Sequence, residues 1–144
     1  MVNWLCYGSG GFVKSPEGYV TENYLRCGKD EFEGNRNYKT IVDPRKVFSY
    51  TCPHYPELKK GYKKVDTVGK TIDTSAVSGN YGRLCINHYF TKSKEDYIRK
   101  MRRGMADRSG KRGMDDFYLH DVNDVNDVHD DSILYYIKKL NEDK

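Results

Sequence analysis

The sequence predicts a mixed α/β fold, and three features carry that expectation. Short apolar or alternating runs at Val2–Tyr7, 38–50 and 84–90 have the length and pattern of strands. Two later segments, one opening at Ser93 and one near Asp130, repeat apolar residues at helical spacing behind polar capping residues. Stretches punctuated by glycine and proline separate these elements, so the strands are short and the loops long and irregular.

Composition sets the scale. The chain has 144 residues and a mass of 16.8 kDa, the size of one compact domain. Lys and Arg total 25 against 21 Asp and Glu, a net charge of +4, too mild to imply nucleic-acid binding by itself. Leu, Ile, Val and Phe number 29, about a fifth of the chain, close to the level at which disorder sets in. Thirteen Tyr and one Trp tip the balance toward a folded chain, because aromatic bodies bury much area while keeping a polar tip. The expectation is a thin, Tyr-rich core, either whole or half of a larger one.

Val2–Tyr7 (VNWLCY) reads as a buried strand that stops at Gly8-Ser-Gly-Gly11. A chain that begins directly on a core strand suggests a cut upstream. The next element, 19–26, is short and of uncertain type, with Thr21 a cap for a helical turn starting at Glu22. Segment 38–50 alternates and is broken by Pro44, which reads as two short strands around a turn. Segment 51–82 carries Pro53, Pro56, Gly61, Gly69 and Gly79 and reads as a long irregular loop. Leu84-Cys-Ile-Asn-His-Tyr-Phe90 is the clearest strand. Ser93-Lys-Glu-Asp96 then opens a helix with Tyr97, Ile98, Met101 and Met105 on one face, its end bracketed by Gly104 and Gly110. The last helix starts near Asp130-Asp-Ser132, with Ile133, Leu134, Ile137 and Leu140 as its stripe and Lys138 and Lys139 suited to its C-terminal dipole.

Charge is segregated. Residues 92–112 hold nine Lys or Arg and three acidic residues, whereas 115–131 hold seven Asp and no Lys or Arg. The acidic stretch contains DVNDVNDV. Val125 and Asn126 occupy positions where a calcium loop needs a ligand and a glycine, so the repeat reads as a solvated linker. The resulting organisation is a main portion over 1–112, an acidic linker over 113–130 and a C-terminal helix over 131–144. No run approaches the roughly 20 apolar residues that span a bilayer, and no secretory signal is visible between Met1 and Phe12. Cys6, Cys27, Cys52 and Cys85 form no C-x-x-C pair, which points to reduced thiols and a cytoplasmic location, with membrane association through a missing region the alternative.

Three constellations suit chemistry. Trp4 ahead of Gly8, Ser9, Gly10 and Gly11 combines a stacking surface with backbone amides that a ligand can approach closely; a tight turn beside a core Trp is the plainer alternative. Glu22 is a carboxylate placed for general-base work or for complementing a helix dipole. Asn87-His-Tyr-Phe-Thr-Lys-Ser93 brings a strand-end His to a Lys and a helix entry, chemistry suited to a metal-bound diphosphate or to ordinary capping. His54 is a weaker ligand candidate, and His120 and His129 read as solvated.

Taken in order, N-W-L-C-Y-G-S-G-G, P-E-G-Y-V-T-E-N-Y, Y-K-T-I-V-D-P-R-K-V, P-H-Y-P, I-N-H-Y-F-T-K-S-K-E-D-Y-I-R-K and R-R-G resemble the C-terminal half of glycosyltransferases of the family 2 and family 92 type. The resemblance covers roughly residues 2 to 105. It departs from the pattern at Tyr7, where the family has Phe, and near Phe12, where it often has His. It implies a partial GT-A fold, a Rossmann-like α/β sandwich that binds a nucleotide-sugar with Mn²⁺ or Mg²⁺, whose D-x-D motif would lie upstream of Met1. Carried over by position, Trp4 and Gly8, Ser9, Gly10 and Gly11 line the acceptor side. Glu22 is the base of an inverting displacement, His88 a late metal or diphosphate ligand, and Lys92, Ser93 and Arg103 hold the diphosphate. The implied partners are a nucleotide-sugar donor, a glycan or other hydroxyl acceptor, and the missing N-terminal half or a partner subunit. Two other readings stand beside it: a non-enzymatic module that binds nucleic acid or acidic membrane through the basic helix 92–112, and an inactive relative kept as a subunit.

Overall fold

The computed structural model describes residues 1–52, 54–72, 83–105, 109–121 and 125–142. Gly79 of the long loop and residues 122–124 of the DVNDVNDV repeat lie outside the described residues. The elements in chain order are β1 (Val2–Tyr7), α1 (Val20–Asn23), β2 (Arg26–Cys27), β3 (Tyr38–Lys39), β4 (Val47–Cys52), β5 (Tyr55–Leu58), β6 (Ile86–Tyr89), α2 (Lys94–Arg103), α3 (Met114–Asp121), β7 (Val128–His129) and α4 (Ser132–Glu142). Turns of 3₁₀ helix occupy Glu33–Arg36 and Pro44–Lys46. The fold is mixed α/β, and every strand pairing with a described register is antiparallel.

The chain forms two compact units. The first comprises Met1–Leu5 and Asp30–His88, the second Cys6–Lys29 and Tyr89–Lys144.

In the first unit, β1 pairs antiparallel with β3 through Val2↔Lys39 and Asn3↔Tyr38. Met1 and Tyr38 form its buried centre, with Tyr55 and Ile72 packed against them. The β4–β5 hairpin stands within the stretches read as a second strand and a long loop. Pro56 is buried inside β5, a position that a two-stranded pair tolerates because an edge strand leaves half its N–H groups without a ladder partner. His54 sits at the hairpin turn, its Nδ1–H donating to the Tyr38 carbonyl at 3.0 Å.

The second unit carries most of the aromatic core. Tyr7 pairs with Cys27 between β1 and β2, and β2 pairs in turn with β7. Tyr7, Tyr24, Tyr97 and Phe117 are buried. Their rings meet in edge and tilted contacts, Tyr7 with Tyr89, Tyr24 with Tyr89 and Phe12, and Tyr97 with Phe90 and Phe117. The Tyr7 hydroxyl donates to Asp130 Oδ2 at 2.7 Å. Burial and then that carboxylate push the Tyr7 phenol well above its ordinary pKa.

Helix α2 starts where its sequence indicates and stops at the first of the two glycines, so Met105, read as part of its apolar face, lies beyond it. Ser93 Oγ accepts from the Asp96 N–H at 3.0 Å and donates to Asp96 Oδ2 at 2.9 Å, and Gly104, at φ 79°, ends the helix in a conformation that favours glycine. Ser93→Ala should cost about 1 kcal/mol in a urea unfolding curve. At α4, the Asp130 carboxylate accepts from the Ser132 N–H at 2.9 Å. The stretch read as an acidic linker contains α3, so among the described residues three helices follow β6 rather than two. Phe117 is buried and Tyr118 and Leu119 are exposed, a pattern without a helical stripe for sequence to reveal.

Candidate functional site

Trp4 and His88, both in the first unit, are brought together. Their rings stack at 3.8 Å with 13° between planes. His54 lies tilted at 5.1 Å on the same indole, and the Lys39 ammonium sits 5.7 Å from its centroid. The buried indole Nε1 has no hydrogen-bond partner among the described residues. Trp4 is half-buried, and the His88 imidazole is one wall of its surroundings. Among the described residues no group of three or more His, Cys, Asp or Glu side chains is placed to hold a metal ion. His88, stacked on an indole, does not by itself fit a metal site.

Gly8, Ser9, Gly10 and Gly11 belong to the second unit, where their amides have partners within the chain. Asp121 accepts from the Ser9 N–H and, at 2.7 Å, from Ser9 Oγ. Asn126 Oδ1 accepts from the Gly10 N–H at 2.8 Å, and Ser9 Oγ accepts from Gly11 N–H at 3.0 Å. Gly10 and Gly11 have φ of 60° and 83°, a left-handed backbone that turns the three amides to separate partners, Ser9 to the Asp121 carboxylate, Gly10 to Asn126 and Gly11 to Ser9 Oγ. Close approach explains Gly8: a Cβ there would lie 2.3 Å from Asn126 Oδ1. Asp121 and Asn126, both of the DVNDVNDV repeat, therefore close the glycine loop.

Glu22 lies in α1, which begins earlier than Thr21 suggested, with Tyr19 at the cap. The exposed Glu22 carboxylate reaches back from the third helical position, and its Oε2 accepts from the Tyr19 N–H at 3.1 Å.

The diphosphate candidates separate. Ser93 is fully buried, and its hydroxyl serves Asp96. The first amides of α2 are also engaged, Lys94 N–H with the Phe12 carbonyl and Glu95 N–H with that of Val13. The helix entry is therefore filled by the chain itself. Lys92 and Arg103 instead share a cavity of about 530 Å³ with Arg99 and Lys100, against the 89–91 segment. That volume falls in the ~300–1,000 Å³ range usual for small-molecule sites. Positions 96, 99, 100 and 103 follow helical spacing and share one face of α2. Lys92, at φ 54°, adopts a left-handed conformation uncommon for a non-glycine residue, at the turn from β6 into α2.

Lys100 is the most constrained of the four cations. Its Nζ donates to the Phe90 carbonyl at 2.6 Å and lies 3.5 Å from the Phe90 ring centroid and 5.5 Å from that of Tyr97. Burial, then repulsion from Arg112, Lys92 and Arg103, lowers its pKa to about 8, with Asp116 opposing. Asp96 is the acidic residue on the cavity lining. Burial would raise its pKa, but hydrogen bonds from Ser15 and Ser93, the Lys92 charge and the Tyr24 hydroxyl outweigh that and hold it below the usual carboxylate range. Arg99 and Lys100 lie outside the set of residues that the resemblance implies. Their helical spacing from Arg103 is the signal that could have found them, and it is masked when the whole basic block is read as one feature.

Chemically, the arrangement is a concave site lined by two guanidiniums and two ammoniums, with one carboxylate beside them. No helix among the described residues is long and apolar enough to cross a membrane. Comparison of the chain with protein-family models, curated proteins and solved structures finds no match.

Proposed function

We propose that the chain is the acceptor-side portion of a GT-A type, inverting glycosyltransferase, and that the cavity of its second unit receives the diphosphate of a nucleotide-sugar. The observation that carries the reading is the convergence of Lys92, Arg99, Lys100 and Arg103 on one cavity directly after Asn87-His-Tyr-Phe-Thr-Lys-Ser93, the segment most specific to the resemblance. In such a displacement an acceptor hydroxyl attacks the anomeric carbon, the bond to the diphosphate breaks, and negative charge grows on the departing oxygen. Fixed cations at that oxygen stabilise the transition state more than the ground state. The proton of the hydroxyl passes to a carboxylate, for which Glu22 is the candidate. The donor half, including a D-x-D motif and its Mn²⁺ or Mg²⁺, would come from outside these residues. A concave site with Asp96 on its lining and Asp116 near Lys100 favours a compact anion over an extended polyanion such as nucleic acid or an acidic membrane.

Titration calorimetry of the 144-residue chain with uridine diphosphate at physiological salt tests the site. Binding is expected, weakened about 10-fold or more by Lys92→Ala and by Arg103→Ala, a loss of about 1.4 kcal/mol or more each. No binding, or binding that both substitutions leave unchanged, would overturn the reading. For the transfer step, nucleoside diphosphate released from a panel of nucleotide-sugars with oligosaccharide acceptors is the readout, using the chain joined to its donor half. Glu22→Gln keeps an acceptor for the Tyr19 N–H while removing the base, so unchanged release in that variant would remove Glu22 from the mechanism.

A further inference from the structure

We propose that anion capture in the second-unit cavity is proton-coupled through Lys100, the phosphate oxygens entering together with a proton that settles on the Lys100 amine. The inference rests on the diphosphate reading above and adds a regulation to it.

The geometry comes first. Lys100 Nζ is fixed at 2.6 Å from the Phe90 carbonyl and 3.5 Å from the Phe90 ring centroid, so protein rather than water surrounds much of it. Other cations face it from three directions. Lys92 at the turn and Arg99 and Arg103 on α2 line the same cavity, and Arg112, from the segment preceding α3, stands 6.0 Å from the Phe90 ring centroid. Asp116 on α3 opposes their repulsion, and Asp96 on α2 is the carboxylate on the cavity lining. His120 of α3 packs on Phe90 at 4.4 Å, with its Nδ1–H donating to the Asp116 carbonyl at 2.7 Å. In the empty cavity, removing the Lys100 proton relieves repulsion among like charges.

A bound diphosphate reverses that balance. Its oxygens bring negative charge into the cavity, and every cation there, Lys100 included, then favours its protonated form. Linkage fixes the sign. Lys100 releases its proton near pH 8 in the free protein, and a bound anion moves that release to higher pH. Between the two values, each anion that binds draws in a proton. Affinity is therefore full below that window and falls as pH rises through it. The proton balance is closed: solvent supplies the proton on binding and receives it on release.

The test is calorimetry of uridine diphosphate binding in two buffers of different ionisation enthalpy, at about pH 7 and about pH 8.5, where the terminal phosphate is already ionised. The dependence of apparent enthalpy on buffer gives the protons taken up. Expected are an uptake of more than about half a proton near pH 8.5, little uptake near pH 7, and an affinity that falls ~5-fold or more from about pH 7.5 to about pH 9. Lys100→Arg, which keeps the charge through the range, should bind with near-zero uptake at both values. Binding without uptake at pH 8.5 would overturn the inference and leave the diphosphate reading standing, as would uptake that persists in Lys100→Arg. Absence of binding at either pH overturns both. The buffer dependence of the unsubstituted chain decides the matter even if the Arg variant folds poorly.

Discussion

Replacing Asp96 with Ala should lower the stability of the second unit by about 3 kcal/mol, seen as a fall of roughly 15 °C in its melting temperature. One carboxylate oxygen accepts from three hydroxyls, Ser15 at 2.6 Å, Ser93 at 2.9 Å and Tyr24 at 3.2 Å. Two of the donors, Ser93 and Tyr24, are buried, and the Tyr24 oxygen in turn accepts from the Ser93 N–H at 3.0 Å. Truncation leaves these buried groups without an acceptor, which is more damaging than removing both sides of a hydrogen bond. The ion pair with Arg99, at 3.5 Å and largely exposed on the Arg side, adds little. The variant Asp96→Asn keeps the shape and one acceptor, so its loss should be about half as large. The two also differ in their pH behaviour. The folded Asp96 carboxyl titrates below its unfolded value, so its contribution is fully present above that value and is lost as pH falls through the folded one. The stability gap between the natural chain and Asp96→Asn should therefore narrow once pH drops below about 4. A gap that stays constant down to acid unfolding would show that shape, not charge, holds the network.

Asp121→Ala should cost about 2–3 kcal/mol and loosen the glycine loop selectively. The carboxylate holds the backbone and side chain of Ser9, which is buried, and accepts from Asn126 Nδ2 at 3.2 Å, so its removal releases both sides of the clamp. Thr91, also buried, donates to the same carboxylate at 3.5 Å, a weak contact at the edge of hydrogen-bonding distance. Amide exchange read by mass spectrometry should rise by about 10-fold or more at Ser9, Gly10 and Gly11 while the amides of α2 keep their protection. Uniform acceleration across the second unit would indicate global rather than local loosening. Asn126→Ala, which removes one acceptor, should expose Gly10 and leave Ser9 protected.

Much of this architecture is legible in the chain, and what is legible has physical causes. The start of helix α2 can be read to the residue, because Ser93 and Asp96 encode local backbone chemistry, and its end falls at the first of the two glycines read as bracketing it, Gly104. The start of α4, at the Asp130 carboxylate, and the span of β1 are legible for the same kind of local reason, whereas β6 is shorter, at 86–89, than the 84–90 run that reads as a strand. The Tyr-rich core follows from composition, since so few aliphatic residues leave little else to bury. Helix α3 escapes detection because its single buried residue, Phe117, gives no periodicity to find. The β4–β5 hairpin is masked by Pro53 and Pro56, which read as breakers when a two-stranded pair can hold one of them. Within the site, motif order assigns Lys92 and Arg103, which stand together in the cavity, whereas Ser93 looks inward to the cap. The partnership of the glycine loop with Asp121 and Asn126 is beyond reach, because it joins residues more than a hundred positions apart. Nothing local in an acidic repeat distinguishes a solvated tether from a clamp.

The stacked indole of Trp4 has a practical meaning. It is the only tryptophan of the chain and belongs to the first unit, while three of the four buried phenols, Tyr7, Tyr24 and Tyr97, belong to the second and Tyr38 to the first. Tryptophan emission excited at the red edge therefore follows the melting of one unit, and near-ultraviolet tyrosine dichroism follows mainly the other. Coincident denaturation curves from the two signals would define a single cooperative transition, and separated curves would define two, each with its own free energy. The molecule carries its own pair of spectroscopic reporters, and no label has to be introduced to count its thermodynamic domains.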